Sequence, residues 1–202
     1  MVAIVDYGVG NLFSLKSSLD AIGTQSVVTS NAEEIEKADR IILPGVGAFC
    51  DAAEKLRRAG LDKVIVDLAR QGKQLLGICL GMQLLFEKSF EYGEHEGLGL
   101  LKGNIVSLKE SIDEKLKVPH MGWNKLELVK ENSPIFKYIK NGDFVYFVHS
   151  YHAVGCEDSL AATSEYGTAV TAAVSKDNVH GCQFHPEKSG EVGLSILKAF
   201  CE

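Results

Sequence analysis

A strand that runs straight into a helix through a single cysteine constrains this chain more than any other feature. The run is Gln74-Leu75-Leu76-Gly77-Ile78-Cys79-Leu80-Gly81-Met82-Gln83. Apolar residues lead into Cys79 as in a buried strand, and the apolar-periodic segment Leu80 to Phe86 leads away as in a helix. Gly77 and Gly81 flank the cysteine two residues before and two residues after. A nucleophile on a sharp strand-to-helix turn needs small neighbours there, because bulky ones collide with the strained backbone. The turn points the side chain out of the sheet edge. The helix start aims free N–H groups and a positive dipole end at the sulfur, which favours thiolate. A cysteine that merely filled a core would place no such demand on both flanks.

The rest of the chain agrees with a strand–helix alternation. Val2–Asp6 is predicted as a buried strand. Asn11 is placed to cap a helix with Leu12, Leu15, Leu19 and Ile22 on one face. Strands are predicted at Gln25–Thr29, Ile41–Leu43 and Leu75–Ile78, with a short acidic helix around Glu33–Lys37. Phe49–Arg58 and Leu61–Arg70 are predicted helices, divided by Ala59-Gly60. This order implies a mostly parallel central sheet with helices on both faces, an α/β fold. The later half is strand-rich: Gly103–Leu108, Lys125–Val129, Phe144–Val148, Ala169–Val174 and Val179–Phe184, closed by a helix over Val192–Phe200. No linker, repeat or low-complexity segment interrupts the chain, so residues 1–202 are expected to form one domain.

Two further segments suit cysteine chemistry. In Gly181-Cys182-Gln183-Phe184-His185-Pro186-Glu187, Pro186 biases His185 away from helix. In an extended segment His185 and Glu187 would share a side. A carboxylate there fixes the imidazole's tautomer and leaves its other nitrogen for a nucleophile. In Ile41-Ile42-Leu43-Pro44-Gly45-Val46-Gly47 a buried strand ends in a glycine-flanked loop. Such a loop can turn a backbone N–H, with Val46 as the candidate, toward a developing oxyanion, and Leu80 N–H at the elbow can supply a second.

Taken together, Gly77-Ile78-Cys79-Leu80-Gly81-Met82-Gln83 and His185-Pro186-Glu187 resemble the class I (triad) glutamine amidotransferases, whose single-domain fold is flavodoxin-like. Asp6-Tyr7-Gly8-Val9-Gly10-Asn11, Pro44-Gly45-Val46-Gly47, Pro119-His120-Met121-Gly122-Trp123-Asn124 and Phe147-Val148-His149-Ser150-Tyr151 make the chain most similar to the glutaminase subunits of imidazole glycerol phosphate synthases. The resemblance covers nearly the whole chain. It implies hydrolysis of glutamine through a cysteine thioester. The ammonia then passes to a (β/α)8-barrel cyclase subunit that makes imidazole glycerol phosphate and aminoimidazole carboxamide ribotide in histidine biosynthesis. Cys79 is then the nucleophile, His185 the acid/base and Glu187 its orienter. Gly47, Gln83, Glu91, Ser150 and Tyr151 match positions that hold glutamine. Asn11, Trp123 and Lys188 match positions at the cyclase interface, while the role of His120 stays open. Other readings are the glutaminase subunit of another synthase, such as pyridoxal phosphate synthase, or a cysteine hydrolase of the peptidase type.

Composition narrows the partners. The formal net charge is −6, which disfavours nucleic acid, since phosphate binding needs a basic surface. No apolar run approaches the roughly 20 residues of a membrane helix. Met1-Val2-Ala3-Ile4-Val5-Asp6 lacks the basic start of a signal peptide, so a cytoplasmic protein is expected. The 5 cysteines show no C-x-x-C spacing and suit neither a disulfide framework nor zinc. His149 and His152, three apart in a β-like stretch, would face opposite ways, so no metal is expected there. Gly8-Val9-Gly10 starts like a dinucleotide fingerprint but has Phe13 where the third glycine belongs. No cofactor is therefore expected. Nothing among these 202 residues is suited to accept ammonia, so a partner chain is expected.

Overall fold

In the computed structural model, which describes residues 1–202, the first half alternates strand and helix. It runs β1 (Val2–Val5), α1 (Leu12–Ala21), β2 (Ser26–Thr29), α2 (Ala32–Lys37), β3 (Arg40–Gly45), α3 (Phe49–Arg58), α4 (Leu61–Arg70), β4 (Gln74–Cys79) and α5 (Leu80–Leu84). Then come β5 (Lys88–Ser89), β6 (His95–Glu96), β7 (Asn104–Ser107), β8 (His120–Lys125), β9 (Glu127–Leu128), β10 (Phe144–His149) and β11 (Tyr151–Val154). Strands β12 (Leu160–Glu165), β13 (Ala169–Lys176) and β14 (Val179–Cys182) precede the closing helix α6 (Gly190–Cys201).

Eight strands form the central sheet in the order β2-β1-β3-β4-β14-β13-β12-β9. β2, β1, β3, β4 and β14 run parallel. β13, β12 and β9 extend the sheet antiparallel, so it is mixed, and Cys79 ends a strand of the parallel half. Two small sheets, β10-β8 and β11-β7-β5-β6, stand beside it.

β1 shows why the parallel strands are apolar throughout. Ala3 and Val5 join one core, with Ile35 of α2, Leu56 of α3, Ile65 of α4 and Leu84 of α5. Val2 and Ile4 join the other, with Leu15 and Leu19 of α1 and Ile196, Leu197 and Phe200 of α6. A strand covered on both faces needs apolar side chains at every position. Burying a Val, Leu, Ile or Phe side chain there stabilises the fold by about 1.5–3 kcal/mol.

Four local expectations need correction. Asn11 stands at the N-cap of α1, but its side chain makes no capping hydrogen bond. Helix α5 stops at Leu84 instead of reaching Phe86. The carbonyls of Leu84, Leu85 and Phe86 accept instead from the N–H groups of residues 98–101. The strand expected at Lys125–Val129 is two strands. Leu126 bonds through its N–H to Asp143 and through its carbonyl to Gly142 N–H. β8 pairs with β10 before that point, and β9 joins the central sheet after it. Finally, the strand expected at Phe144–Val148 runs on to His149, and Ser150 separates it from a further strand, β11, which Tyr151 opens.

Candidate active site

The elbow is built by close approach of backbones. Cys79 has φ 54° and ψ −111°, strained for a non-glycine residue. A Cβ on Gly81 would lie 1.8 Å from the Leu43 carbonyl oxygen, and one on Gly77 would lie 2.6 Å from the Gly81 oxygen. No side chain fits at either place, which is the physical reason for the glycine spacing around the cysteine. β3 and β4 pair in register from Arg40 with Gln74 to Gly45 with Cys79, so the Pro44–Gly47 loop starts beside the elbow. Tyr7 Oη donates to the Pro44 carbonyl at 2.7 Å and ties β1's exit to that loop.

His185 reaches the same place from β14, the neighbour of β4. Its N–H donates to the Tyr146 carbonyl at 3.0 Å. Ser189 Oγ donates to the His185 carbonyl at 2.6 Å and accepts from Tyr146 N–H at 3.0 Å. His185 Nδ1 lies 2.8 Å from Glu187 Oε1, and both side chains are almost fully buried. The expected extended segment is not what joins them. Pro186–Lys188 is a 3₁₀ turn that folds the carboxylate back under the ring. Burial alone would lower the His185 imidazole. The Cys79 sulfur and the Glu187 carboxylate outweigh it and carry His185 up to about 9. With Nδ1 on Glu187, Nε2 is the edge left for the sulfur. Protons on a buried imidazole flanked by a cysteine sulfur and a carboxylate suit acyl transfer with general acid/base help.

These groups open on a cavity of about 270 Å³. Cys79, Leu80 and His185 line it together with Val46, Gly47 and Lys188. Gln83, Glu91, Ser150 and Tyr151 complete the wall, so all five residues expected to hold substrate converge there. Glu91 Oε2 accepts from Phe49 N–H, at the start of α3, at 2.6 Å. Burial raises the Glu91 carboxyl above its ordinary range, against that N–H and nearby His95. Asn11 and Trp123 lie outside the cavity. Trp123, 55% exposed, packs edge-on against Tyr146 with ring centroids 6.2 Å apart. Lys188 Nζ stands 6.0 Å from the same Tyr146 ring.

Some contributors carried no assignment in the sequence reading. Buried Gln183 places Nε2 3.8 Å from Cys79 Sγ and accepts from Gln83 Nε2 at 3.0 Å through Oε1. Its place two residues before His185 was the available signal. His149 lines the cavity, and Tyr146 joins Trp123 to Lys188. Both are in β10, which reads simply as an apolar strand. His149 bonds the Tyr151 carbonyl and His152 bonds Ser111, so the two rings have different partners. No group of three or more His, Cys, Asp or Glu side chains is arranged to hold a metal.

The sequence profile of the family "Glutamine amidotransferase class-I" matches residues 3–202. The fold agrees. A glutamine amidotransferase crystal structure superposes with a TM-score of 0.76 at 19% identity, covering 99% of each chain. The Thermotoga maritima PurLQS structure gives 0.77 at 20% identity over 98% of this chain and 96% of that one. Fold and profile define the class, a class I glutamine amidotransferase. Among sequences, the imidazole glycerol phosphate synthase subunit HisH of Bacillus velezensis is 55% identical, over 99% of this chain and 95% of that protein. HisH of Caldanaerobacter subterraneus is 53% identical over 100% and 98%. The chain belongs to the HisH family of glutaminase subunits. No helix is long and apolar enough to cross a membrane.

Proposed function

We propose that this chain, as one domain over residues 1–202, hydrolyses glutamine through Cys79 and passes the ammonia to a cyclase subunit with which it forms a cytoplasmic heterodimer. The observation that carries this reading is the strained Cys79 elbow opening on the same cavity as His185, with Glu187 bonded behind the ring. The relatives are subunits of imidazole glycerol phosphate synthase. The ammonia would therefore serve formation of imidazole glycerol phosphate and aminoimidazole carboxamide ribotide in histidine biosynthesis.

In the proposed reaction the Cys79 thiolate attacks the side-chain amide carbon. The carbonyl π electrons move to oxygen, where Leu80 N–H and Val46 N–H stabilise the charge. His185 gives its proton to the departing nitrogen, and collapse of the oxyanion breaks the C–N bond, leaving a thioester and ammonia. Water then gives a proton to His185 and attacks the thioester. The C–S bond breaks to release glutamate and regenerate the thiolate–imidazolium pair. Gly47, Gln83, Glu91, Ser150 and Tyr151 hold the amino-acid end, while Asn11, Trp123 and Lys188 meet the cyclase. Cys79→Ala should abolish glutamine-dependent synthesis by the complex and leave ammonia-dependent synthesis intact, as read by glutamate release and product formation. Glutamine-driven turnover surviving in Cys79→Ala would overturn the assignment.

A further inference from the structure

A chain of hydrogen bonds joins strand β8 to the cavity wall, and backbone groups fix its direction. His149 Nδ1 lies 2.8 Å from the Tyr151 carbonyl, which only accepts, so this nitrogen carries the proton. In the neutral ring Nε2 is then an acceptor. Its neighbour at 3.0 Å is His120 Nδ1, which must therefore donate. His120 Nε2 is left to accept from Asn124 Nδ2 at 3.3 Å. Asn124 is itself oriented by backbone: Nδ2 donates to the Glu165 carbonyl at 2.9 Å, and Oδ1 accepts from Lys125 N–H at 2.8 Å. Every ring nitrogen thus has one consistent role.

The same carbonyl extends the chain inward. Tyr151 O also accepts from Gln83 Nε2 at 3.1 Å, and Gln83 Nε2 gives its other proton to Gln183 Oε1 at 3.0 Å. Both Gln83 amide protons are therefore used inside the protein. The atom left for the cavity that Gln83 lines is Oε1, an acceptor suited to an ammonium or amide N–H of the substrate.

We propose that His120 is a positioning residue for glutamine hydrolysis. It holds His149 on the Tyr151 carbonyl, and so holds Gln83 with its oxygen toward the substrate. The proposal rests on the glutaminase reading above. His120 is buried and does not line the cavity; its ring stacks between Phe147 and Tyr166, with centroids 4.7 and 4.1 Å away. Burial lowers His120 to about 4, which keeps that ring neutral. Burial also lowers His149 to about 3; the Tyr151 carbonyl opposes this, and the His120, His152 and His185 rings add to it.

Two measurements on the complex with the cyclase test the idea. In the ¹⁵N-histidine-labelled wild-type complex, long-range ¹H–¹⁵N correlations should show His120 and His149 both neutral with the proton on Nδ1 at pH near 7. A His149 proton on Nε2 would overturn the proposal without any variant. In steady-state assays, His120→Phe keeps a stacked ring and removes both nitrogens. It should raise KM for glutamine about five- to ten-fold, the loss of one hydrogen bond, with kcat within about two-fold. His120→Asn returns an N–H near the Nδ1 position and should bring KM most of the way back. An unchanged KM in folded His120→Phe, or a KM in His120→Asn as high as in His120→Phe, would overturn the proposal. If His120→Phe does not fold, His120→Leu, similar in shape to His120→Asn but without its N–H, takes its place: a KM about five- to ten-fold above that of His120→Asn supports the role, and equal KM values in the two refute it. A wild-type complex releasing no glutamate from glutamine would instead refute the glutaminase reading, and the tautomer measurement would still stand.

Discussion

His185 is the residue whose electrostatics say most about the chemistry. Burial works against its cation, yet the Cys79 sulfur and Glu187 carboxylate together raise it to about 9. The sign follows directly. Below that value the ring keeps the proton that departing ammonia requires, and above it the proton is lost. Activity, as kcat/KM for glutamine in the complex, should therefore fall as pH rises through about 9. Glu187→Gln removes one of the two groups that hold His185 up, so the alkaline fall should move to lower pH. His185→Asn removes proton transfer in both half-reactions and should cost about 100- to 10,000-fold in kcat. Glu187→Gln should cost less, because the carboxylate acts through the ring. Steady-state rates across pH check both. An alkaline limb unmoved in Glu187→Gln, or a larger loss there than in His185→Asn, would contradict these roles.

Among the elements, the Pro44–Gly47 loop carries the next expectation. Its two glycines do different work. A Cβ on Gly45 would stand 2.8 Å from both Gly81 N and Tyr7 Oη, so Gly45 is demanded by packing against the elbow. Gly47, at φ +98° with open space around it, is where the loop needs conformational freedom. In Gly47→Val the side chain meets no neighbouring atom but is strained at that φ, so the cost should fall on the loop, shifting it from this conformation and restricting the Val46 peptide. If that peptide supplies the second oxyanion donor only when the cyclase is bound, the variant should lower the ratio of glutaminase rates with and without liganded cyclase. Loss of one such donor costs about 100- to 1000-fold, which sets the largest effect expected. A variant that keeps the full wild-type ratio would rule the switch out. The elements themselves differ in how far local sequence could reveal them. Helix α3 ends and α4 begins where expected because Gly60, at φ +69°, marks the break between them in the sequence. The two-residue strands β5, β6 and β9 have no periodicity and exist only through their pairing partners. The change of sheet at Leu126 carries no glycine or proline to mark it. The elbow was legible for the opposite reason: its geometry forbids side chains at Gly77 and Gly81, so the constraint is written in the residues. The Gln183–Gln83–Tyr151–His149–His120 chain was not, since its members converge from the segment after β14, α5, β11, β10 and β8.

At the scale of the whole molecule, the question is how ammonia leaves without escaping to water. The proposed catalytic groups, Cys79 and His185, sit at the C-terminal ends of β4 and β14, next to the end of β3, the usual place for a site on such a sheet. The loop after β1 lies there too, where Gly10 approaches the Pro44 ring and Asn11 follows. Trp123 is 55% exposed, yet it sits over Tyr146, whose backbone braces His185 and whose ring faces Lys188, a residue of the cavity wall. An exposed indole makes little contribution to the chain's own core, so its removal should leave the fold intact. Against a partner, a buried tryptophan commonly contributes about 2 kcal/mol or more, about 30-fold in affinity. Trp123→Ala should therefore weaken association with the cyclase by about that factor, or leave association intact and let glutamate form faster than product because ammonia leaks at the seam. A binding titration and the glutamate-to-product ratio separate the two routes, and thermal melting of the isolated chain controls for folding. Unchanged affinity together with an unchanged ratio would remove Trp123, and the Tyr146–Lys188 cluster beneath it, from the interface.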